Sequence, residues 1–134
     1  MIGIDIVYIP KFQRLLNSSY GSNVIDIIFT HEEILQNSIT TGDCQQQIDL
    51  KQAASLAGKF AAKEAVIKVL NNRLGLDDLR KIVIYISKDG APMVKSFISL
   101  KSSGKGTMLL SDCANTYASE AMVAVWITAN SDHP

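Results

Sequence analysis

The stretch LKQAASLAGKFAAKEAVIKVL, residues 50–70, decides how the rest of the chain is read. Leu56, Phe60, Ile67 and Leu70 recur on one face, alanines fill the remainder and no proline interrupts, a pattern that predicts one long helix. Steps of four, three and four residues also bring Ala57, Ala61, Glu64 and Lys68 into one line down that helix. The two small residues leave room for a close neighbour, and a carboxylate and an ammonium stand one turn apart beside the gap. A Glu four places before a Lys is also an ordinary stabilising pair, about 0.2–0.5 kcal/mol on an exposed face. Lys59 and Lys63 can likewise be read as a solvated basic edge.

Upstream of this helix, residues 2–9 are β-rich without clean alternation, which predicts a strand buried on both faces. Pro10 suits the first turn of a short helix over 10–17, followed by a polar loop and a second helix over 23–29. Thr30, with Glu33 three places on, forms the capping box of a third helix. Residues 36–48 carry no period and read as a loop. Downstream, 81–87 is a strand, Asp89-Gly90 a turn signal, and 93–100 the returning partner. A polar turn over 101–106 leads to a second hairpin, with strands 107–111 and 117–128 around a turn at 112–116. This order predicts a single α+β domain over 1–134 with a mainly antiparallel sheet.

The 134 residues carry thirteen basic and thirteen acidic side chains, so the formal net charge is zero. Such a chain has no global attraction for nucleic acid or an anionic membrane, and an electrostatic partner must be met by a local patch. Cys44 and Cys113 stand far apart, which excludes a CxxC site; a disulfide is allowed, and two free thiols in a reducing compartment is the plainer reading. No apolar run approaches the ~20 residues of a membrane span. The opening MIGIDIVYIP lacks a basic leader region and contains Asp5, so a signal peptide is not expected and a cytoplasmic location is.

Asp5 is unusual because a carboxylate in an apolar strand must be paired, hydrogen-bonded or metal-bound. A strand-end aspartate satisfied by backbone or a lysine fits as well as a ligand. Taken with Glu64 it gains meaning, since Mg²⁺ is typically held by one or two carboxylates plus phosphate oxygens and waters. A lysine one turn on supplies the remaining cation for chemistry at a pyrophosphate. Neither a Walker GxxxxGK(S/T) loop nor GxGxxG occurs, which excludes nucleotide binding by those loops.

Several segments, in order, resemble the holo-acyl-carrier-protein synthases. GIDIVYIPKF (3–12) is similar to their GxDIVEIxRF opening, FTHEEI (29–34) to their FTxxE segment, and LAGKFAAKEAVIKVL (56–70) to their LAGRFAAKEAxxKAL helix. KDGAPMV (88–94) matches their xxGxPxV turn, and YASEAMVAV (117–125) suits their last strand. The resemblance implies the phosphopantetheinyl transferase fold and a Mg²⁺-dependent transfer of 4′-phosphopantetheine from coenzyme A to a serine of apo acyl carrier protein. Adenosine 3′,5′-bisphosphate would be released, in the service of fatty acid biosynthesis.

By the same resemblance Asp5 and Glu64 are the metal ligands, and Glu64 and Lys68 the catalytic pair. Lys59, Lys63, Lys68 and Gly75 would face the coenzyme. Lys11, Arg14 and Lys51 would form the basic patch for an acidic carrier, and the assembly would be a homotrimer, with Met122, Val123, Val125 and Trp126 as an apolar strand. The chain departs from the pattern at Tyr8, where an acid is usual, and at Lys11, where an arginine is. It departs again at Leu110-Ser111-Asp112-Cys113, where SxSH is expected, and in having only Gly75 after the long helix. A non-catalytic carrier- or coenzyme-binding module derived from this fold is the alternative that these departures favour.

Overall fold

The alanine-rich stretch forms helix α4, Leu50–Val69, and the other elements are arranged around it. The structure, a computed structural model, describes residues 2–39, 46–69, 76–86, 92–94, 109–118 and 122–130. Ala53, Ala57, Ala61, Ala62 and Ala65 are all fully buried, so neighbours close on α4 from several sides. The chain enters it through a reciprocal cap. Asp49 Oδ1 accepts the Gln52 amide at 2.7 Å, and Gln52 Oε1 accepts the Asp49 amide at 3.0 Å. These bonds satisfy two donors that a helix start otherwise leaves open.

Strand β1, Ile2–Tyr8, runs antiparallel to β5, Met122–Asn130, and β5 to β4, Leu109–Ala118, giving the order β1-β5-β4. A second antiparallel pair joins β2, Ile84–Ile86, to β3, Pro92–Val94. All the described pairings are antiparallel, as predicted. Helix α4 packs against β1 and β5. The predicted strand buried on both faces is corrected: Val7 is buried, but Ile4, Ile6 and Tyr8 on the other face are 51%, 61% and 51% exposed. Only one face of β1 meets α4, and β-branched residues on both faces concealed that.

The turn expected at 112–116 is also corrected, because those residues belong to β4. Leu110 pairs with Ala129 and Ala114 with Ile127, so β4 advances four residues while β5 moves two. Ser111, Asp112 and Cys113 lie within this irregularity, where the strand carries extra residues relative to its partner. The turn expected at Asp89-Gly90, the polar turn at 101–106, Cys44 and Gly75 lie outside the described residues.

Three short helices cover the remaining side of α4. Helix α1, Ile9–Leu16, has proline in its first turn and buries Ile9, Phe12 and Leu16, with Phe12 stacked on Phe60 of α4 at 5.5 Å between ring centroids. At its end Asn17 both accepts the Ile48 amide at 2.7 Å and donates to the Ile48 carbonyl at 3.0 Å, docking α1 onto the approach to α4. Helices α2, Gly21–Ile28, and α3, His31–Gln36, follow, and α3 carries the predicted capping box of Thr30 and Glu33. A 3-10 helix over Leu76–Lys81 precedes β2.

Gly21 permits the tight passage from α1 to α2. A Cβ there would stand 1.7 Å from the Leu16 carbonyl oxygen, a backbone atom that cannot swing aside. Gly21→Ala is therefore expected to cost about 3 kcal/mol or more, at the upper end of overpacking penalties. Urea unfolding checks this; a loss below about 1 kcal/mol would show that the α1–α2 corner has slack.

Candidate active site

Where β1 crosses the C-terminal half of α4, three charged side chains from the two elements come together. Asp5 stands on the β1 face toward α4, half-buried. Lys68 Nζ donates to Asp5 Oδ1 at 2.7 Å and to the Ile4 carbonyl at 2.9 Å. Glu64 lies one turn back on α4, also half-buried, and its carboxyl is pushed above the usual glutamate range. Burial is the largest cause, the negative charge of Asp5 the second, and Lys68 opposes both. The line predicted from spacing is thus real: Ala57 and Ala61 are sealed, Glu64 is at the boundary and Lys68 is exposed.

The charges of Asp5 and Lys68 both act on the Glu64 carboxyl, and Lys68 is paired with Asp5. Fully ionised, the cluster carries one net negative charge in a partly desolvated place, a setting that favours a further cation. No group of three or more His, Cys, Asp or Glu side chains suited to a metal occurs among the described residues. A closed protein cage is therefore not offered there. An open site with two acids fits a hard dication that completes its shell with water and phosphate oxygens.

Lys59 and Lys63 do not form a solvated edge. Both are buried, at 1% and 0% exposure. Lys63 Nζ donates to the Ile28 carbonyl and to Glu33 Oε1, each at 2.6 Å, and sits 5.4 Å above the Phe29 ring centroid. Lys59 Nζ donates to Gln36 Oε1 at 3.0 Å. Burial holds both ammonium groups below the ordinary lysine value, partly offset by Glu33. Lys63 is thus enclosed and paired inside the chain, an internal anchor for α4.

Lys11, Arg14 and Lys51 are exposed, the first two on α1 and the third on the first turn of α4. The Asn17–Ile48 bonds bring the end of α1 to the start of α4. His31 is exposed at the start of α3. Reading from spacing missed the partnership of Glu33 with Lys63, although both residues stood in quoted motifs. Thirty residues separate them, and only an acid buried behind a capping position hints at it.

The sequence model of the 4′-phosphopantetheinyl transferase superfamily matches residues 1–119. A holo-acyl-carrier-protein synthase of Wolbachia from Brugia malayi is 38% identical over 100 residues, spanning 72% of this chain and 74% of its own length. Among solved structures, the holo-acyl-carrier-protein synthase of Neisseria meningitidis superposes with TM-score 0.68 at 27% identity, covering 96% of each chain. That of Bacillus anthracis, in complex with coenzyme A (3′,5′-ADP), shares the fold with TM-score 0.70 at 18% identity, covering 98% of this chain and 96% of its own.

Proposed function

Because the chain belongs to the 4′-phosphopantetheinyl transferase superfamily, among the holo-acyl-carrier-protein synthases, we propose that it transfers 4′-phosphopantetheine from coenzyme A to a serine of apo acyl carrier protein. The transfer depends on Mg²⁺ and releases adenosine 3′,5′-bisphosphate. The observation that carries the site assignment is the meeting of Asp5 and Glu64 across β1 and α4, with Lys68 beside them.

Asp5 and Glu64 would hold Mg²⁺, which when bound neutralises charge on the pyrophosphate oxygens. Glu64 has a second task. It would accept the serine proton, and general-base help of this kind contributes about 10²–10⁴-fold. Lys68 stands on an exposed tether within reach of the same region and would stabilise the departing phosphate. Lys11, Arg14 and Lys51 would steer an acidic carrier protein toward the site.

The exposed apolar face of β1, with Ile4, Ile6 and Tyr8, supports assembly into a homotrimer. The register sets Trp126 opposite Ile4 and Met122 opposite Tyr8. We assign the whole chain to one domain and its setting to the cytoplasm and fatty acid biosynthesis. Among the described residues no helix is long and apolar enough to cross a membrane.

The test is direct. Apo carrier protein incubated with coenzyme A, Mg²⁺ and this protein should gain the mass of the arm in intact mass spectrometry. Absence of that gain at high protein concentration, where a known transferase works, would sink the enzyme and leave the binding module.

The proton on Glu64 gives a pH dependence with a definite sign. Since the folded carboxyl binds its proton more tightly than an ordinary glutamate, a cation entering the site must displace it over a higher pH range. Mn²⁺ affinity, measured calorimetrically without coenzyme, should therefore rise with pH through a window displaced upward from ordinary carboxylates. An affinity flat down to the usual glutamate range would contradict it.

A further inference from the structure

Half of the ten buried side chains on α4 are alanines, so the apolar interlock that resists turning about its axis falls to Leu56, Val66, Ile67 and the stacked Phe60. Side-chain interlock between ridges and grooves normally fixes that angle, and methyl groups make shallow ridges. Glu64 lies where the charge of Asp5 acts on it, and the polar ties of the helix add to that apolar packing in setting its rotation. Residue 63 projects about 100° around the axis from residue 64, and its ammonium is anchored to two elements at once.

The Lys63 ammonium is held from two directions at 2.6 Å, by the Ile28 carbonyl at the end of α2 and by Glu33 Oε1 at the start of α3. Glu33 is itself immobilised. Its Oε1 also accepts the Thr30 amide at 2.8 Å, and its Oε2 accepts the Ile84 amide of β2 at 3.0 Å. Neither charge of the pair has any exposure. One turn earlier, Lys59 repeats the tie to α3 through Gln36 at 3.0 Å. A buried ion pair contributes little net stability compared with an apolar pair of the same shape, but a fully satisfied one admits few alternative geometries.

We propose that Glu33 is a positioning residue for Glu64: fixed where α3 begins, it holds the Lys63 ammonium and so sets the rotation of α4 that turns Glu64 toward Asp5. This rests on the reading of Asp5 and Glu64 as the metal-holding pair. A turn of roughly 20° at a helix radius of about 5–6 Å displaces a side-chain end by about 2 Å. Misplacement of catalytic groups by about 1 Å can cost on the order of 10²-fold in rate. The anchor and the reacting groups are on different sides of the helix, so Glu33 acts only through Lys63.

The experiment compares the wild-type chain with the doubly neutral Glu33→Gln/Lys63→Met variant, and with Glu33→Asp, which keeps the charge and shortens its reach. Three readings are taken on folded protein: Mn²⁺ affinity by calorimetry without coenzyme, and kcat and KM for the carrier protein. The double variant should bind Mn²⁺ at least fivefold more weakly and lose about 10–100-fold in kcat, with KM for the carrier unchanged because Lys11, Arg14 and Lys51 are untouched. Glu33→Asp should shift kcat and Mn²⁺ affinity in the same direction by less, and it decides the matter if the double variant does not fold. A merely structural role would lower the folded fraction and leave the Mn²⁺ affinity of the folded molecules as it was. Wild-type Mn²⁺ affinity and kcat in the folded variants would overturn the proposal. A wild-type chain that binds no Mn²⁺, or whose binding survives Asp5→Asn, would instead overturn the metal-site reading, and the proposal with it.

Discussion

Glu64→Gln is expected to lower transfer to the carrier protein at least about a thousandfold while leaving the chain folded. The substitution removes one of two acidic ligands and the proton acceptor together, and the second loss alone is worth about 10²–10⁴-fold. Folding should not suffer. The Glu64 carboxyl is half-buried beside Asp5, and both burial and that like charge disfavour its ionised form. A neutral amide of the same shape relieves both, so thermal stability should hold or rise slightly. Calorimetry and circular dichroism check the fold, and intact mass spectrometry with coenzyme A and Mg²⁺ checks transfer. Turnover within tenfold of the wild type would show that Glu64 is not the acid at the centre of the chemistry.

Lys63→Met should have the largest effect on stability of any single change on α4. It deletes the cation from a pair with no exposure and leaves the Glu33 carboxylate buried, hydrogen-bonded to two backbone amides and with Lys59 as a more distant cation. Breaking a buried pair by removing one partner costs about 3–5 kcal/mol, because the remaining charge is uncompensated. The Ile28 carbonyl also loses its donor. Adding Glu33→Gln should recover most of the loss, since the second substitution removes the stranded charge. Urea unfolding of the two single variants and the double completes the cycle. A single-variant loss below about 1 kcal/mol would mean that water or a rearranged neighbour reaches Glu33.

The two predictions part ways on neighbouring residues for one physical reason. Glu64 and Lys63 are adjacent in sequence and burial disfavours the charged form of each, yet Lys63 is tied to Glu33 and the Ile28 carbonyl while Glu64 feels the like charge of Asp5. Charge type and spacing did not separate these cases. LAGKFAAKEAVIKVL shows a lysine at 59, 63 and 68, and all three were read toward the coenzyme. In the fold only Lys68 remains exposed, while Lys59 and Lys63 turn into the interior. Helical periodicity says which residues share a face and is silent about what covers it.

The strands divide in the same way. Residues 2–9 are legible as a strand from β-branched content alone, but not which face is covered, since isoleucine occupies both. Asp112 to Thr116 looks like a turn by composition, and pairing of β4 with β5 overrides that local preference. The reciprocal cap of Asp49 and Gln52 was visible as a D-x-x-Q pattern and passed unused.

By itself the sequence determined the element types, the α+β class, the long helix and the line that joins Ala57, Ala61, Glu64 and Lys68, because these follow from local periodicity and from motifs in order. Only the tertiary structure decided that Asp5 meets that line from β1, that Ile4, Ile6 and Tyr8 stay uncovered, and that Lys63 is buried against Glu33. Each of these depends on contacts between residues tens of positions apart, and burial and partner charge are properties of those contacts, not of spacing along the chain.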